Sequence, residues 1–526
     1  MDRLDARAVQ AMDLAQSGEA REAIAIVDAA LQDAAASGRE DLLPRLHYIR
    51  GVAHHSLGEH HLAVGDCERL LRIAEERQDL GWSANARALR AAQYVLLGDP
   101  DEGIRDLVAA QVDLDLADDI ELYVRNWAHT GLAIGFDRLR LYELARPHYL
   151  AAREIGDAVA QTQPESATID HLNLAEMHLR WGLEAERSEG EPALLHHAET
   201  ALGHARDAQM WAKTLTNPRW AMTADLFTGA ALALLGEPVE AVDLLRPAID
   251  ATLGYAQPAE ATLGLVMLSR ALESLDRRDD AERAARYAEE LMPANPDWPL
   301  LVAVQERLAR LAATASPEPG TLLALRYADT LAREVWAQRR RTLRAAEAQL
   351  AVEAMRAEHA EARRASTEDP LTGVSNRRFL DERLTRLAET SVASPHPISA
   401  IMLDVDRFKS INDTLGHATG DDVLRAVTRV LVDHARATDV VARYGGDEFI
   451  LLLTDTGAEE AAQVAQRLLT ALRETNWAAM TRGEPVTVSI GTATRPNLHG
   501  GAELIQLADD AMYVAKRGGG NQVHSL

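Results

Sequence analysis

Over roughly the first 315 residues, apolar positions recur at steps of three and four, the spacing of one face of an α-helix. Ala23, Ile24, Val27 and Leu31 form one such stripe, and Leu70, Leu71 and Ala74 form another. Between stripes lies a turn pattern of glycine, polar, two variable residues, polar, small. It occurs as GEAREA from Gly18, GEHHLA from Gly58, GDPDEG from Gly98 and GEPVEA from Gly236, with DRRDDA from Asp276 as a glycine-free version. Successive members in each half lie 40 residues apart, and a constant period predicts one repeated structural unit, here a helical hairpin. The turns are followed by small residues, Ala23, Ala63, Gly103, Ala145, Ala241 and Ala281, where the two helices of a hairpin must approach closely. The pattern loosens around residues 155–200, where EGEPALLHHAETAL predicts an irregular repeat.

These residues resemble tetratricopeptide (TPR) repeats, in a version longer than the usual unit of about 34 residues. The resemblance spans residues 1–315 and implies a partner-binding, sensing surface for a protein, peptide or small-molecule ligand. His54, His55, His60 and His61 flank the Gly58 turn and read as ordinary exposed turn histidines rather than metal ligands. Trp127, Trp181 and Trp211 read as repeat core.

After the breaker ATASPEPG, residues 316–365 form a connector: a stretch without glycine or proline from about Thr321 to Arg364 predicts one long helix. Trp336, Leu343 and Leu350 fall seven apart with Ala332 and Ala346 near the alternate seam position, so the pattern allows a parallel coiled coil or a single solvated helix, with Arg339 interrupting the seam. The run Arg339–Arg341 reads as a solvated face.

The final residues, 366–526, change to strand-like runs alternating with amphipathic helices, an α/β domain. Ile398 to Asp404 reads as a buried strand ending in an acid; VVARY and DEFILLL read as two strands joined by a tight two-residue turn at Gly445-Gly446. Helices are expected in DDVLRAVTRVLVDHA, with Leu424, Val427 and Leu431 inward, and from Ala458 to Thr475. PVTVSIGTAT supplies another strand and ELIQLADDAMYVAKR a last helix.

Composition narrows the function. A net charge of -26 and a pI near 5.1 argue against a nucleic-acid or anionic-membrane binder, so a bound nucleotide should be small and metal-escorted. No uncharged apolar run approaches the roughly 20 residues that span a bilayer, and the single Cys67 permits no internal disulfide; a soluble, cytoplasmic protein is expected. Asp404, Asp406, Asp447 and Glu448 can converge where strand ends open to solvent. Carboxylates without histidine or cysteine suit Mg²⁺ or Mn²⁺ and phosphoryl or nucleotidyl transfer. Alternation along a strand puts Asp447 and Glu448 on opposite faces, so only one should share a metal squarely with Asp404. Bare backbone at Gly445 and Gly446 lets a nucleotide lie close to the turn.

Four motifs in order then carry a specific resemblance: DPLTGVSNRR from Asp369, LDVDRFKSINDTLGHATGDDVL from Leu403, RYGGDEF from Arg443 and ADDAMYVAKRGGGN from Ala508. Together they resemble GGDEF-domain diguanylate cyclases. The implied fold is a central, mostly antiparallel sheet flanked by helices, like that of nucleotide cyclases, behind the repeat solenoid and connector. The implied roles are Asp404, the Val405 carbonyl and Asp447 as ligands of two Mg²⁺ or Mn²⁺ ions per site, Asp447 as acceptor of the 3′-hydroxyl proton, and Glu448 beside it. Lys409 would steady transition-state charge, Asn412 and Asp421 would read guanine, and His417 and Lys516 would contact substrate. Arg436 and Asp439 match the RxxD product-inhibition motif, and Arg467 lies where some relatives add a second arginine. Gly520 stands where many members carry arginine, so one phosphate contact is expected to be missing. The resemblance implies condensation of two GTP into cyclic di-GMP and two pyrophosphates by a homodimer meeting through its GGDEF domains and connector. The competing reading is an inactive GGDEF domain that serves as a GTP or cyclic di-GMP receptor, with output through the repeats.

Overall fold

The computed structural model describes the chain apart from residues 1–2, 119, 256–257, 293–297, 316–317, 392–395, 482 and 497–500. Ser316 and Pro317 of the breaker therefore lie outside the described residues. The chain divides into two compact units, Met1–Ala354 and Met355–Leu526.

The first unit is helical, and the repeated turns organise it. Gly18, Gly58, Gly98 and Gly236 have φ of +95°, +72°, +88° and +83°, the left-handed backbone that closes a helix and that glycine enters without strain. Arg140 and Asp276 close the equivalent glycine-free turns at φ +62° and +59°. Helices Ala20–Ser37, His60–Arg77, Pro100–Leu116, Tyr142–Val159, Pro238–Gly254 and Arg278–Glu290 follow. The small residues in their first turns are fully buried: Ala23, Ala63, Ala145, Ala241 and Ala281 have no exposed surface. A Cβ at Gly103 would stand 2.8 Å from Val95 Cγ2, so that hairpin closes on bare backbone. The irregular repeat is a pair of longer helices, Pro164–Glu189 and Glu191–Ala212, joined at Gly190. Trp127 stacks on Tyr48 at 5.1 Å and Trp181 on Tyr142 at 5.5 Å, both within the core, whereas Trp211 is half-buried outside it.

Three sequence expectations need correction here. His54, His55 and His60 are half-buried rather than exposed: His54 Nδ1 lies 2.7 Å from Glu59, and His55 and His60 share the Gln93 amide oxygen at 3.1 and 3.0 Å. The long helix runs Pro319–Thr367, and the seven-residue stripe on it is covered by the repeats. Trp336 and Ala346 are buried, and Leu343 and Leu350 pack with Ala346 on a cluster that includes Leu107, Phe136 and Tyr142. Arg339 is no solvated residue. It is 4% exposed, ion-pairs with Glu143, donates to the Arg140 carbonyl and lies 4.2 Å over the Trp336 ring. An arginine that would break a coiled-coil seam is thus a buried anchor between the long helix and a repeat turn. Among the described residues no helix is long and apolar enough to cross a membrane.

The second unit carries a six-stranded sheet in the order β1–β3–β4–β2–β5–β6: β1 Ser375–Asn376, β2 Ile398–Val405, β3 Val440–Arg443, β4 Glu448–Leu453, β5 Val488–Arg495 and β6 Val523–Ser525. The three inner pairings are antiparallel and the two outer ones parallel. β2 is buried throughout, as a central strand between two helical layers must be. Its side chains alternate. Ile401, Leu403 and Val405 join Phe449 and Leu451 in the core under helices Phe408–Leu415, His417–His434 and Ala458–Glu474. Ala400 and Met402 join Ile450 and Leu452 under helices Arg377–Ser391 and Gly501–Arg517. A Cβ at Gly491 would meet backbone atoms of the last helix at 2.1–2.2 Å, so this glycine lets that helix lie directly on β5.

Candidate active site

Strand pairing sets the carboxylates. Asp404 is paired with Glu448 in the β2–β4 register, so the two share a face, the one that also carries Met402 and Ile450. Asp447 precedes the strand. The Tyr444 amide donates to the Glu448 carbonyl at 2.8 Å and the Gly445 amide to the same oxygen at 3.3 Å, leaving Gly445, Gly446 and Asp447 in the turn. The expected two-residue turn therefore has three residues. Val405 N donates to the Asp447 carbonyl at 3.2 Å, tying this turn to the end of β2. Gly445 and Gly446 do not have positive φ; a Cβ at Gly445 would lie 2.8 Å from Glu448 Oε2 and so displace that carboxylate.

Asp404 is 5% exposed, and its Oδ2 is 2.6 Å from Lys516 Nζ on the last helix. Burial first, and then the nearby Asp447 and Glu448 charges, outweigh the pull of Lys516 and together raise its carboxyl to about 6. A buried carboxylate crowded by two others and balanced by one ammonium is a site that favours additional positive charge. Its donors, Asp404, Asp447, Glu448 and the Val405 carbonyl, are all hard oxygens, which fits Mg²⁺ or Mn²⁺. A cavity of about 560 Å³ adjoins Glu448, lined also by Arg377, Tyr444, Gln506 and Asp509.

The other expected residues lie on neighbouring elements. Lys409 is exposed and Asn412 half-buried on helix Phe408–Leu415; His417 is exposed at the start of the next helix, with Asp421 half-buried in its second turn. Gly420, which precedes Asp421, lies against Asn412: a Cβ on that glycine would overlap Asn412 Oδ1 at 1.9 Å. This Asn412 oxygen is buried and accepts no hydrogen bond. Arg436 and Asp439 form a tight turn, with Arg436 N donating to Asp439 Oδ2 at 2.8 Å. The Arg436 guanidinium is directed to Glu460, 2.6 Å away, rather than to Asp439, whose Oδ1 is buried without a partner. Arg467 is exposed on helix Ala458–Glu474.

Residues 366–522 match the family model for the diguanylate cyclase GGDEF domain. They form a GGDEF domain. The chain is 43% identical over 157 residues to diguanylate cyclase DosC of Escherichia coli K12, covering 30% of this chain and 34% of that one. It is 37% identical over 158 residues to the response regulator PleD of Caulobacter vibrioides NA1000, covering 30% and 35%. It thus spans about a third of the length of these curated relatives. Among solved structures it is similar to the coiled coil and GGDEF domain of DgcB from Caulobacter crescentus in complex with c-di-GMP. That match has 32% identity and a TM-score of 0.33, covering 35% of this chain and 97% of that one.

Sequence reasoning missed what braces the GGDEF turn. Arg443 donates to the Gly446 carbonyl at 2.7 and 3.1 Å and to Asp369 at 3.0 and 3.2 Å. Asp369 in turn accepts from the Thr372 amide and hydroxyl at 3.0 and 2.7 Å. Burial opposes its charge, but these hydrogen bonds hold its carboxyl below the usual range. The motif beginning at Asp369 therefore clamps the turn that presents Asp447. Asp406, expected among the clustered acids, instead accepts from Thr487, Ser489 and the Asn521 amide at 2.8, 2.6 and 3.0 Å, which anchors the closing loop. Gly520 lies in that loop at φ +73°, and a Cβ there would come within 3.0 Å of Asp406. Both the backbone and the space at this position suit glycine.

Proposed function

We propose that this chain is a diguanylate cyclase, condensing two GTP into cyclic di-GMP with release of two pyrophosphates. The observation that carries the reading is the buried Asp404 carboxylate, set opposite Glu448 and beside the Asp447 turn with one lysine as its partner, inside a GGDEF domain. Asp404, Asp447 and the Val405 carbonyl would hold two Mg²⁺ or Mn²⁺ ions, with Glu448 adjoining. When bound, such ions acidify the attacking 3′-hydroxyl and offset charge at the α-phosphate. Asp447 takes the 3′-hydroxyl proton, and its carbonyl bond to Val405 and the Arg443 clamp fix where it does so. Guanine is read by the unpaired Asn412 oxygen, which accepts from a base N–H, together with Asp421, a pairing adenine cannot reproduce. Lys409 and Lys516 supply positive charge to the phosphates, with His417 at the rim; ions held by Asp404 would take over the charge balance that Lys516 now provides.

Each domain holds one GTP, so turnover requires two chains related by a two-fold axis. The TPR-like repeats, residues 1–315, regulate that encounter through the connector, and product bound at Arg436, Asp439 and Arg467 inhibits it. The receptor reading draws on Lys516, which is held by Asp404 at 2.6 Å rather than free for phosphate, and on Gly520. Incubating purified protein with GTP and Mg²⁺ and resolving the nucleotides separates the two. Cyclic di-GMP with rate rising as the square of protein concentration at low concentration supports the cyclase; bound but unconverted nucleotide supports the receptor.

A further inference from the structure

Three pairs of histidines face one another through Nδ1 in the first unit: His129 and His148 at 3.0 Å, His178 and His197 at 2.9 Å, and His171 and His204 at 3.2 Å. A neutral imidazole pair satisfies itself with one N–H···N hydrogen bond, so packing alone accounts for the first two pairs. The third differs in its surroundings. His204 and Asp207 are three residues apart on helix Glu191–Ala212 and so share a face toward His171 on helix Pro164–Glu189. Asp207 Oδ2 is 3.8 Å from His171 Nδ1, and ligand atoms of the three residues all lie within 4.8 Å of one another. Among the described residues, no other group of three or more histidine, cysteine or acidic side chains converges in this way.

The far nitrogen of His171 decides the chemistry. His171 Nε2 lies 3.2 Å from Asp157 Oδ1 on helix Tyr142–Val159. A carboxylate there accepts the Nε2 proton, fixes the tautomer and leaves the Nδ1 lone pair bare, facing His204 and Asp207. This carboxylate–imidazole support is the usual outer partner of a metal-binding histidine. Tetrahedral Zn²⁺ with metal–nitrogen distances of about 2.0–2.1 Å sets its nitrogens about 3.3 Å apart, close to the observed 3.2 Å. The Asp207 side chain is 56% exposed, free to shorten its distance and leaving the site open to ions from solvent.

We propose that His171, His204 and Asp207 bind a divalent transition-metal ion of the Zn²⁺ class, with Asp157 orienting His171 and a fourth position left to water. The ion links the two longest repeat helices, with the preceding helix held through Asp157. The donor set of two imidazoles and one carboxylate selects against Mg²⁺, which prefers oxygen, and so separates this site from the GGDEF carboxylates. The proposal does not depend on the cyclase reading.

The test uses the full-length protein, stripped by a chelator and kept in excess Mg²⁺ to occupy oxygen sites. Zn²⁺ is titrated by calorimetry and Co²⁺ by visible absorption. The expected result is a single saturable Zn²⁺ per chain, a tetrahedral Co²⁺ band, and a Zn²⁺-dependent rise in the unfolding midpoint of the repeats. Asp207→Asn, at an exposed position that spares the fold, and His204→Ala should each weaken Zn²⁺ at least about tenfold, and Asp157→Asn by about ten- to a hundredfold. His129→Gln should bind as wild type. Zn²⁺ affinity unchanged in Asp207→Asn and His204→Ala, or no saturable binding in wild type, would overturn the assignment.

Discussion

The clamp on the GGDEF turn can be measured without any assumption about turnover. Arg443 and Asp369 are each only 16% exposed at the side chain, 74 residues apart in sequence, and joined by two contacts of 3.0 and 3.2 Å. A charge-assisted pair of this kind is worth about 1.5–3 kcal/mol, more than a surface ion pair, because little water competes. Arg443→Ala removes that pair and two bonds to the Gly446 carbonyl, so a loss of about 3 kcal/mol is expected. Asp369→Ala removes the pair and the Thr372 bonds and strands a half-buried guanidinium, at a cost of about 2.5 kcal/mol. The double variant loses the shared contact once, so it should cost about 4 kcal/mol, a coupling of about 1.5 kcal/mol. Trp477 is the single tryptophan in residues 355–526 and is buried, with its indole N–H on the Leu472 carbonyl at 2.8 Å. Urea unfolding of that fragment followed by its fluorescence therefore reports the cycle directly. A coupling below about 0.5 kcal/mol would show that the two side chains act separately and that the motif from Asp369 does not brace the turn.

Asp447→Asn should abolish cyclic di-GMP formation with an unchanged circular dichroism spectrum; retention of more than about a tenth of wild-type turnover refutes its role. Lys516→Met should tighten Mn²⁺ binding in the absence of nucleotide, because the ammonium on Asp404 no longer competes, while raising the KM for GTP. A parallel weakening of both would mean that Lys516 only supports the fold. Arg436→Ala should leave initial rates nearly unchanged but keep progress curves straight as product accumulates, with weaker product binding by calorimetry; curves that bend like wild type exclude regulation at this turn. His148 is buried against His129 and held neutral, its pKa pushed down to about 3. A depressed histidine stabilises fully above its unfolded value near 6.5, and the contribution is lost as pH falls from there toward 3. Between pH 7.5 and 5, His148→Gln should lose about 2 kcal/mol less repeat stability than wild type in denaturant titrations; equal losses would assign the acid limb to other groups.

The periodic features were legible because local physics selects them. Left-handed backbone at a turn selects glycine, and close helix approach selects alanine, so Gly18, Gly58, Gly98 and Gly236 and the small residues after them could be read directly. The near-continuous apolar run from Ile398 likewise gave the burial of β2. Strand alternation, extended to put Asp447 and Glu448 on opposite strand faces, failed, because parity is useful only as far as the last paired residue. Here that residue is Glu448, since Asp447 falls in the turn. The seven-residue stripe failed for a related reason. Spacing shows that Trp336, Leu343 and Leu350 share a face, but any apolar surface can cover it, and here earlier repeats of the same chain do so.

The features missed share one property: the residue type was visible but its partner lay far along the chain. Arg339 reads as a solvated arginine until Glu143 is placed beside it, and Asp406 reads as a metal ligand until Thr487, Ser489 and Asn521 take up its oxygens. Asp404 reads as a bare ligand until Lys516 arrives from the last helix, which reaches it because Gly491 lets that helix lie flat on β5. A buried charge must find an opposite charge or hydrogen-bond donors, so its partner is required by the physics even where the sequence leaves it unnamed. For Asp406 that requirement is met by three donors, which is why it has no call on a metal. For Asp404 it is met by one ammonium, with two more carboxylates close by. That imbalance favours additional positive charge beside Asp404, Asp447 and Glu448, as the proposed metal site requires.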